Sequence, residues 1–300
     1  MPSRNRKAGE TRPSRAQAES SSEPAYFPFA RYTSVVGVHT SLLAFTALLL
    51  PGTTPSVRGI LAPWDFTKST EGRDIIRNLT ENPLRTLAWI CIGALVLQCW
   101  WASWIKQWSS ATRTHKPDSV DATKQRMERD WWKAQRERVV EYGKAIATTL
   151  VASVIFHAIT VLLGAPLSSH PLHTYSMSLL LAILTVLPPA YALGPPTFGS
   201  DSPSLVSRLT LVRLFAELSP RTPVERALVY PAVGTVTGAW LGVIPIGLDW
   251  ERPWQAWPLT PTFGAVAGFI VGSLLAMVVG ATLELAQADH RQLQSGKKSS

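Results

Sequence analysis

His170 and His173, three positions apart, have a spacing that metal ligands use. No cysteine or fixed acidic companion stands near them to complete a site. In segments 51–83, 165–173 and 248–261, where these histidines lie, the acids are few: Asp65, Glu71, Asp74, Glu81, Asp249 and Glu251. The chain carries no Gly-x-Ser-x-Gly, no His-Glu-x-x-His and no P-loop. His39 and His157 lie inside apolar stretches, where an ionisable group marks a functional position by default. A neutral histidine hydrogen-bonded between helices is the plainer reading of both, and the favoured one. Cys91 and Cys99 are about 12 Å apart along one helix at 1.5 Å per residue, so they cannot pair and read as small apolar residues. Nothing among these residue types positively supports an enzyme, an intramembrane one being left open, and no metal or cofactor is expected.

The elements that must position these groups are apolar. The 300 residues are 46% hydrophobic and only 16% charged, where soluble domains carry roughly 25% charge. Two cysteines exclude a disulfide scaffold, and the apolar fraction excludes a disordered chain. Six apolar segments stand out, at about 33–50, 84–105, 145–164, 174–193, 227–247 and 262–283. Each approaches the ~20 residues that cross a hydrocarbon core. The first is short and interrupted by His39, Thr40 and Ser41. It is no signal peptide, because it starts late and is followed by Pro51-Gly52 instead of a small-residue cleavage site. The predicted fold is an all-α polytopic membrane protein of about six transmembrane helices.

Basic residues orient it. Segments 1–32, 106–144, 194–226 and 284–300 hold six, ten, four and three Lys or Arg; segments 51–85, 165–173 and 248–261 hold five, none and one. The basic side is the cytosolic side, which predicts both termini cytosolic and the loops 51–83, 165–173 and 248–261 lumenal. The net charge of +9 is then a matter of orientation, and no nucleic-acid module is expected.

The domain plan follows. Residues 1–30 read as a disordered cytosolic tail, 31–283 as the six-span membrane domain, and 284–300 as a second cytosolic tail. Within the cytosolic insert 106–143, residues 118–143 alternate charges and hold Trp131 and Trp132, which predicts a helix lying on or rising from the cytosolic surface. Trp100, Trp101, Trp104 and Trp108 crowd the cytosolic end of the second span, as an interfacial belt would. Residues 203–218 place Leu205, Leu209, Val212 and Phe215 on one face, an interfacial amphipathic helix. The chain ends Lys297-Lys298-Ser299-Ser300, which resembles the dilysine retrieval signal of endoplasmic-reticulum membrane proteins. That signal is read from the cytosol, where the charge count independently puts this tail. Asn78-Leu79-Thr80 is a glycosylation sequon, too close to the second span to favour modification.

Glycines pattern the last two spans. Gly234, Gly238 and Gly242 recur every fourth residue in the fifth, and Gly264, Gly268 and Gly272 in the sixth. Small residues on one face let two backbones touch, which is how helices associate where no hydrophobic drive separates protein from solvent. A short connection makes the two helices antiparallel neighbours, with Gly242 facing Gly264, Gly238 facing Gly268 and Gly234 facing Gly272. A partner subunit on the same faces is the less favoured alternative.

The connection itself is distinctive. Residues 239–260 read AWLGVIPIGLDWERPWQAWPLT. Its prolines, Pro245, Pro253 and Pro258, restrict the backbone, and Trp240, Trp250, Trp254 and Trp257 suit headgroup depth. Asp249, Glu251 and Arg252 can pair locally or meet a lipid headgroup. The loop reads equally as a cap closing the last two helices and as a partner surface. The stretch closely resembles the motif of the PIG-F family, of the form GAWxGAxPIPLDWDRPWQxWP. The match is dense over about 225–262, with Ser219-Pro220 and Glu225 upstream, and looser elsewhere. Gly247 stands where the pattern often has Pro, and Glu251 where it often has Asp.

That resemblance implies a multi-pass endoplasmic-reticulum protein of glycosylphosphatidylinositol (GPI) anchor synthesis. It implies an accessory role, stabilising the large subunits that transfer ethanolamine phosphate from phosphatidylethanolamine onto GPI mannoses. The metal-dependent lumenal phosphotransferase domain would belong to those partners. Pro245, Asp249, Trp250, Arg252, Pro253, Trp254, Gln255, Trp257 and Pro258 are then the residues expected to meet the partner or a membrane lipid, phosphatidylethanolamine or a GPI precursor. Lys297 and Lys298 are expected to carry retrieval. The rival from another class is a lipid-handling enzyme or phospholipid transporter acting directly on its substrate.

Overall fold

The computed structural model describes residues 27–52, 77, 79–113, 124–196 and 199–299. Among them the chain is helical, with no strand. Helix α1 spans Phe29–Leu48, α2 Pro83–Arg113 and α3 Lys124–Leu162. Two shorter helices follow, α4 at Pro171–Thr185 and α5 at Leu187–Ala192, then α6 at Ser202–Phe215. The fold closes with α7 at Pro223–Leu241 and α8 at Leu259–Ser299. Five of these helices are long and apolar enough to cross a membrane: α1, α2, α3, α7 and α8.

The fourth predicted segment, 174–193, departs from a single helix. It is divided between α4 and α5 at Val186. Pro188 and Pro189 remove two backbone donors that a continuous helix would need, so the regular ladder stops one turn before them. Thr185 and Ser178 turn their hydroxyls back on the carbonyls of Leu181 and Thr174, at 2.7 and 2.9 Å, and so satisfy themselves inside the bundle.

Two helices run well past the apolar segments. The 39 residues of α3 join the second half of the predicted insert to the third span, so the insert rises from the bundle as one helix with it. Residues 106–113 prolong α2, and 114–123 lie outside the described residues. Lys106 and Glu141 form an ion pair between these two extensions, and the Tyr142 hydroxyl donates to the Cys99 carbonyl at 2.8 Å. Tyr142 also stacks on Tyr191, with ring centroids 3.8 Å apart. At 41 residues and 1.5 Å per residue, α8 is about 60 Å long, and residues 284–299 of the predicted tail are its continuation. Lys297 and Lys298 fall on its final turn. The tail 1–26, the sequon residue Asn78 and the acids Asp65, Glu71 and Asp74 lie outside the described residues.

The core follows the apolar segments. Leu43, Ile90, Ala94, Leu180, Leu184 and Phe269 are buried together where α1, α2, α4 and α8 meet. At the end of the bundle that carries the starts of α1 and α7, Tyr32, Trp101, Ile105, Trp108 and Leu228 form a second cluster. The tryptophan-rich end of α2 is therefore only partly an interfacial belt. Trp101 and Trp108 are 2% and 5% exposed, because both lie on the helical face that meets α1. Trp100 is 36% exposed, and Trp104 stacks under the Arg31 guanidinium at 4.4 Å.

Candidate functional site

The seam between α7 and α8 positions the loop that joins them. Glu225, three residues into α7, starts it: Thr222 Oγ1 accepts the Glu225 N–H at 3.2 Å, and the Glu225 carboxylate accepts the Arg221 and Thr222 N–H groups at 2.6 and 3.2 Å. This capping box satisfies donors that a helix start leaves bare. Arg213 grips the same carboxylate through both guanidinium arms, at 2.5 and 3.2 Å, and donates to the Ser219 carbonyl at 2.7 Å. The fork makes two parallel charge-assisted bonds and fixes the α6–α7 corner.

From there α7 runs against α8, and at the glycines no side chain stands between the two backbones. A Cβ at Gly238 would strike the Gly264 carbonyl and come within 3.0 Å of the Gly268 Cα. A Cβ at Gly234 would strike the Gly268 carbonyl and come within 3.3 Å of the Gly272 Cα. Each glycine of α7 thus sits between two of α8, half a repeat from the one-to-one facing that the spacing predicts. Gly242 meets Thr260 and Pro261, and Gly272 meets Tyr230 and Pro231.

The loop itself is a folded cap. Two short 3-10 turns, Ile244–Gly247 and Pro253–Gln255, are clasped by one side chain. Gln255 Nε2 donates to the carbonyls of Pro245 and Leu248, each at 2.7 Å, and Gln255 Oε1 accepts the Arg252 N–H at 2.7 Å. They add to the loop's own backbone bonds, from Leu248 N–H to the Pro245 carbonyl at 3.2 Å and from Trp250 N–H to the Leu248 carbonyl at 2.9 Å. Glu251 takes a left-handed backbone conformation (φ 46°) at the turn between them. Trp257 Nε1 donates to Thr174 Oγ1 at 3.0 Å and ties the loop to the start of α4. Pro258, after a cis peptide bond, and Leu259 are buried beneath it.

What remains outside is a mixed surface. Trp250 is 54% exposed and packs edge-on against Trp254 at 5.6 Å. Trp240 and Ile244 are more exposed still, at 69% and 57%. Asp249, Glu251 and Arg252 are exposed and make no ion pair among the described residues, so they do not spend their charge on one another. The role of Gln255 had no signal in its type. It stands among Trp and Pro, and only the fold shows that its amide reaches two carbonyls seven and ten residues back.

The other candidates are not gathered into a site. His170 and His173 lie side by side at the start of α4, rings 5.1 Å apart, but no group of three or more His, Cys, Asp or Glu side chains suited to a metal occurs among the described residues. His39 is stacked on Trp101 with centroids 5.0 Å apart and meets the edge of Phe269. Its Nε2 has no hydrogen-bond partner, so aromatic packing rather than an interhelical bond holds it. His157 meets the Tyr175 ring at 5.9 Å, and Cys91 and Cys99 are free.

The GPI biosynthesis protein family Pig-F matches residues 72–277, which include the capped start of α7, the glycine seam and the loop. The chain belongs to the PIG-F family. It is 33% identical over 138 residues to the human GPI ethanolamine phosphate transferase, stabilizing subunit, covering 46% of this chain and 58% of that one. It is 39% identical over 132 residues to glycosylphosphatidylinositol anchor biosynthesis protein 11 of Yarrowia lipolytica, covering 43% and 52%. A PIGF/3-ketodihydrosphingosine reductase fusion protein of Schizosaccharomyces pombe is 36% identical over 134 residues, which are 43% of this chain and 24% of the fusion. The chain thus spans less than two thirds of the length of the curated relatives it matches. No solved structure matches it.

Proposed function

We propose that this PIG-F family member is a non-catalytic subunit of the endoplasmic-reticulum transferase that adds ethanolamine phosphate to GPI mannoses. In this reading the 243–258 loop is lumenal and holds the large catalytic subunit, both termini are cytosolic, and Lys297 and Lys298 serve retrieval. The human relative is named as the stabilising subunit of that transferase. One observation carries the assignment of the loop. Its interior hydrogen bonds are made by Gln255 with backbone, while Asp249, Arg252 and Trp250 face outward. A rigid loop that leaves an aromatic ring and unpaired charges outside suits an interface, where such anchors dominate the binding energy. The family resemblance assigns the phosphotransferase chemistry to the partner.

The test removes outward groups and spares the clasp. Trp250→Ala, Asp249→Ala and Arg252→Ala should each leave this chain folded and lower the amount of large transferase that co-purifies with it. GPI precursors lacking the later ethanolamine phosphates should accumulate in the same membranes. A fully retained and abundant transferase, with transfer still blocked, would reject the holding role and favour direct participation in lipid chemistry.

A further inference from the structure

On one side of the bundle the helices do not close. A cavity of about 1080 Å³ opens between α3, the α4–α5 break, α6 and α7. That is at the upper end of the roughly 300–1,000 Å³ usual for small-molecule pockets. Its walls are apolar: Val151 and Ile155 on α3, Val186 at the helix break, Val212 and Phe215 on α6, and Val236 on α7. Val151, Ile155, Val212 and Val236 are each at least 50% exposed in the isolated chain. Helix α6 barely joins the bundle, and Leu214 is its one buried side chain among those described.

Two cations flank this cavity, each one helical turn from residues that line it. On α6, Arg208 lies one turn before Leu211 and Val212 on the same face. Its Nη2 makes only a long bond, 3.4 Å, to the Gly199 carbonyl, and its Nε is buried without a partner. Asp201 feels the charge of Arg208, but its carboxylate accepts from Ser204 Oγ at 2.8 Å and makes no ion pair with the guanidinium. On α3, Lys144 lies one turn before Ala147 and Thr148, is exposed and is likewise unpaired among the described residues. Arg213, by contrast, is committed to Glu225 and the Ser219 carbonyl.

We propose that this cavity is a binding site for an anionic phospholipid. The acyl chains lie between α3, α6 and α7, and the phosphate and its net negative headgroup meet Arg208 and Lys144. The charge pattern selects this occupant: an apolar slot flanked by two cations that make no ion pair among the described residues complements a molecule with long apolar chains and an anionic head. The lipid belongs to the leaflet on the side of both chain termini. Its role is to fasten α6 to the bundle.

The test uses the full chain purified in neutral detergent, with palmitoyl-oleoyl phosphatidylserine or phosphatidylcholine added, and reads the thermal unfolding midpoint. Phosphatidylserine should raise the midpoint saturably, with half-maximal effect at a concentration about tenfold below that for phosphatidylcholine, the worth of one charge-assisted hydrogen bond. Arg208→Gln with Lys144→Gln should erase that preference, and Arg208→Lys should keep it. Val236→Trp, which fills the slot from an exposed position, should abolish the saturable response to both lipids in a protein of unchanged far-ultraviolet circular dichroism. The proposal is overturned if the two lipids act alike on the wild type, or if the preference survives the double glutamine variant. It is also overturned if inorganic phosphate alone reproduces the shift, if Val236→Trp leaves the lipid response intact, or if the chain dimerises through the slot in place of binding lipid.

Discussion

The α7–α8 seam and the α3–α6 side are both apolar helix faces, yet they are built on opposite rules. Along the seam, carbonyl oxygens of one helix touch the glycines of the other, so nothing larger than hydrogen fits at Gly234, Gly238, Gly264 or Gly268. Across the α3–α6 side, Val151, Ile155, Val212 and Val236 leave their side chains uncovered around an open slot. The seam ends in a loop that needs one geometry, fixed by Gln255. The open side ends in a helix held chiefly by the Arg213–Glu225 corner. Backbone contact thus supports the precise surface, and lipid-exposed side chains suffice where a fluid solvent fills the gaps.

The sharpest way to break this contrast is to add volume on both sides. Gly238→Leu or Gly268→Leu should separate α7 from α8. Overpacking of a tight core costs typically ~1–3 kcal/mol, and a contact with backbone that cannot step aside should cost at least the upper value. The yield of folded protein and its thermal midpoint in detergent should fall steeply. Val151→Leu, made as the matching change on the open side, should leave both unchanged. Equal tolerance at the two sites would remove the distinction.

A smaller effect is expected inside the loop. Gln255→Ala removes three hydrogen bonds, each worth about 1 kcal/mol net, and leaves the Arg252 N–H to water, while the Pro245 and Leu248 carbonyls keep only their backbone donors. Amide exchange at Arg252 should quicken at least about tenfold, since the lost stability is local. Protection of the α7 and α8 amides should persist. Faster exchange along both helices would show that the loop and the seam form one cooperative unit.

How legible these features were in the sequence depends on how few side chains each needs. The spans could be read because apolar runs of this length have few alternatives. The seam could be read because a small residue every fourth position has one structural use in a helix face. Its register could not be, since the half-step offset between Gly238 and the Gly264–Gly268 pair depends on how the 243–258 loop folds. The continuity of α3 was hidden by the change from charged to apolar residues at Lys144, because polarity marks the surroundings of a helix and not its end. The break between α4 and α5 was signalled by Pro188-Pro189, inside a segment whose hydropathy alone argues for one helix. The slot could not be found at all from apolar residues that are alike in lipid and in a cavity.

The central claim, that the 243–258 loop is where the large transferase is held, is tested most directly by photo-crosslinking. A photoreactive amino acid would replace Trp250 in one strain and Val212 in another, both exposed positions. Native membranes would be irradiated and the adducts identified by mass. Position 250 should capture the large transferase, and position 212 should capture phospholipid. Transferase adducts from position 212 with none from position 250 would place the partner on the open side and contradict the account.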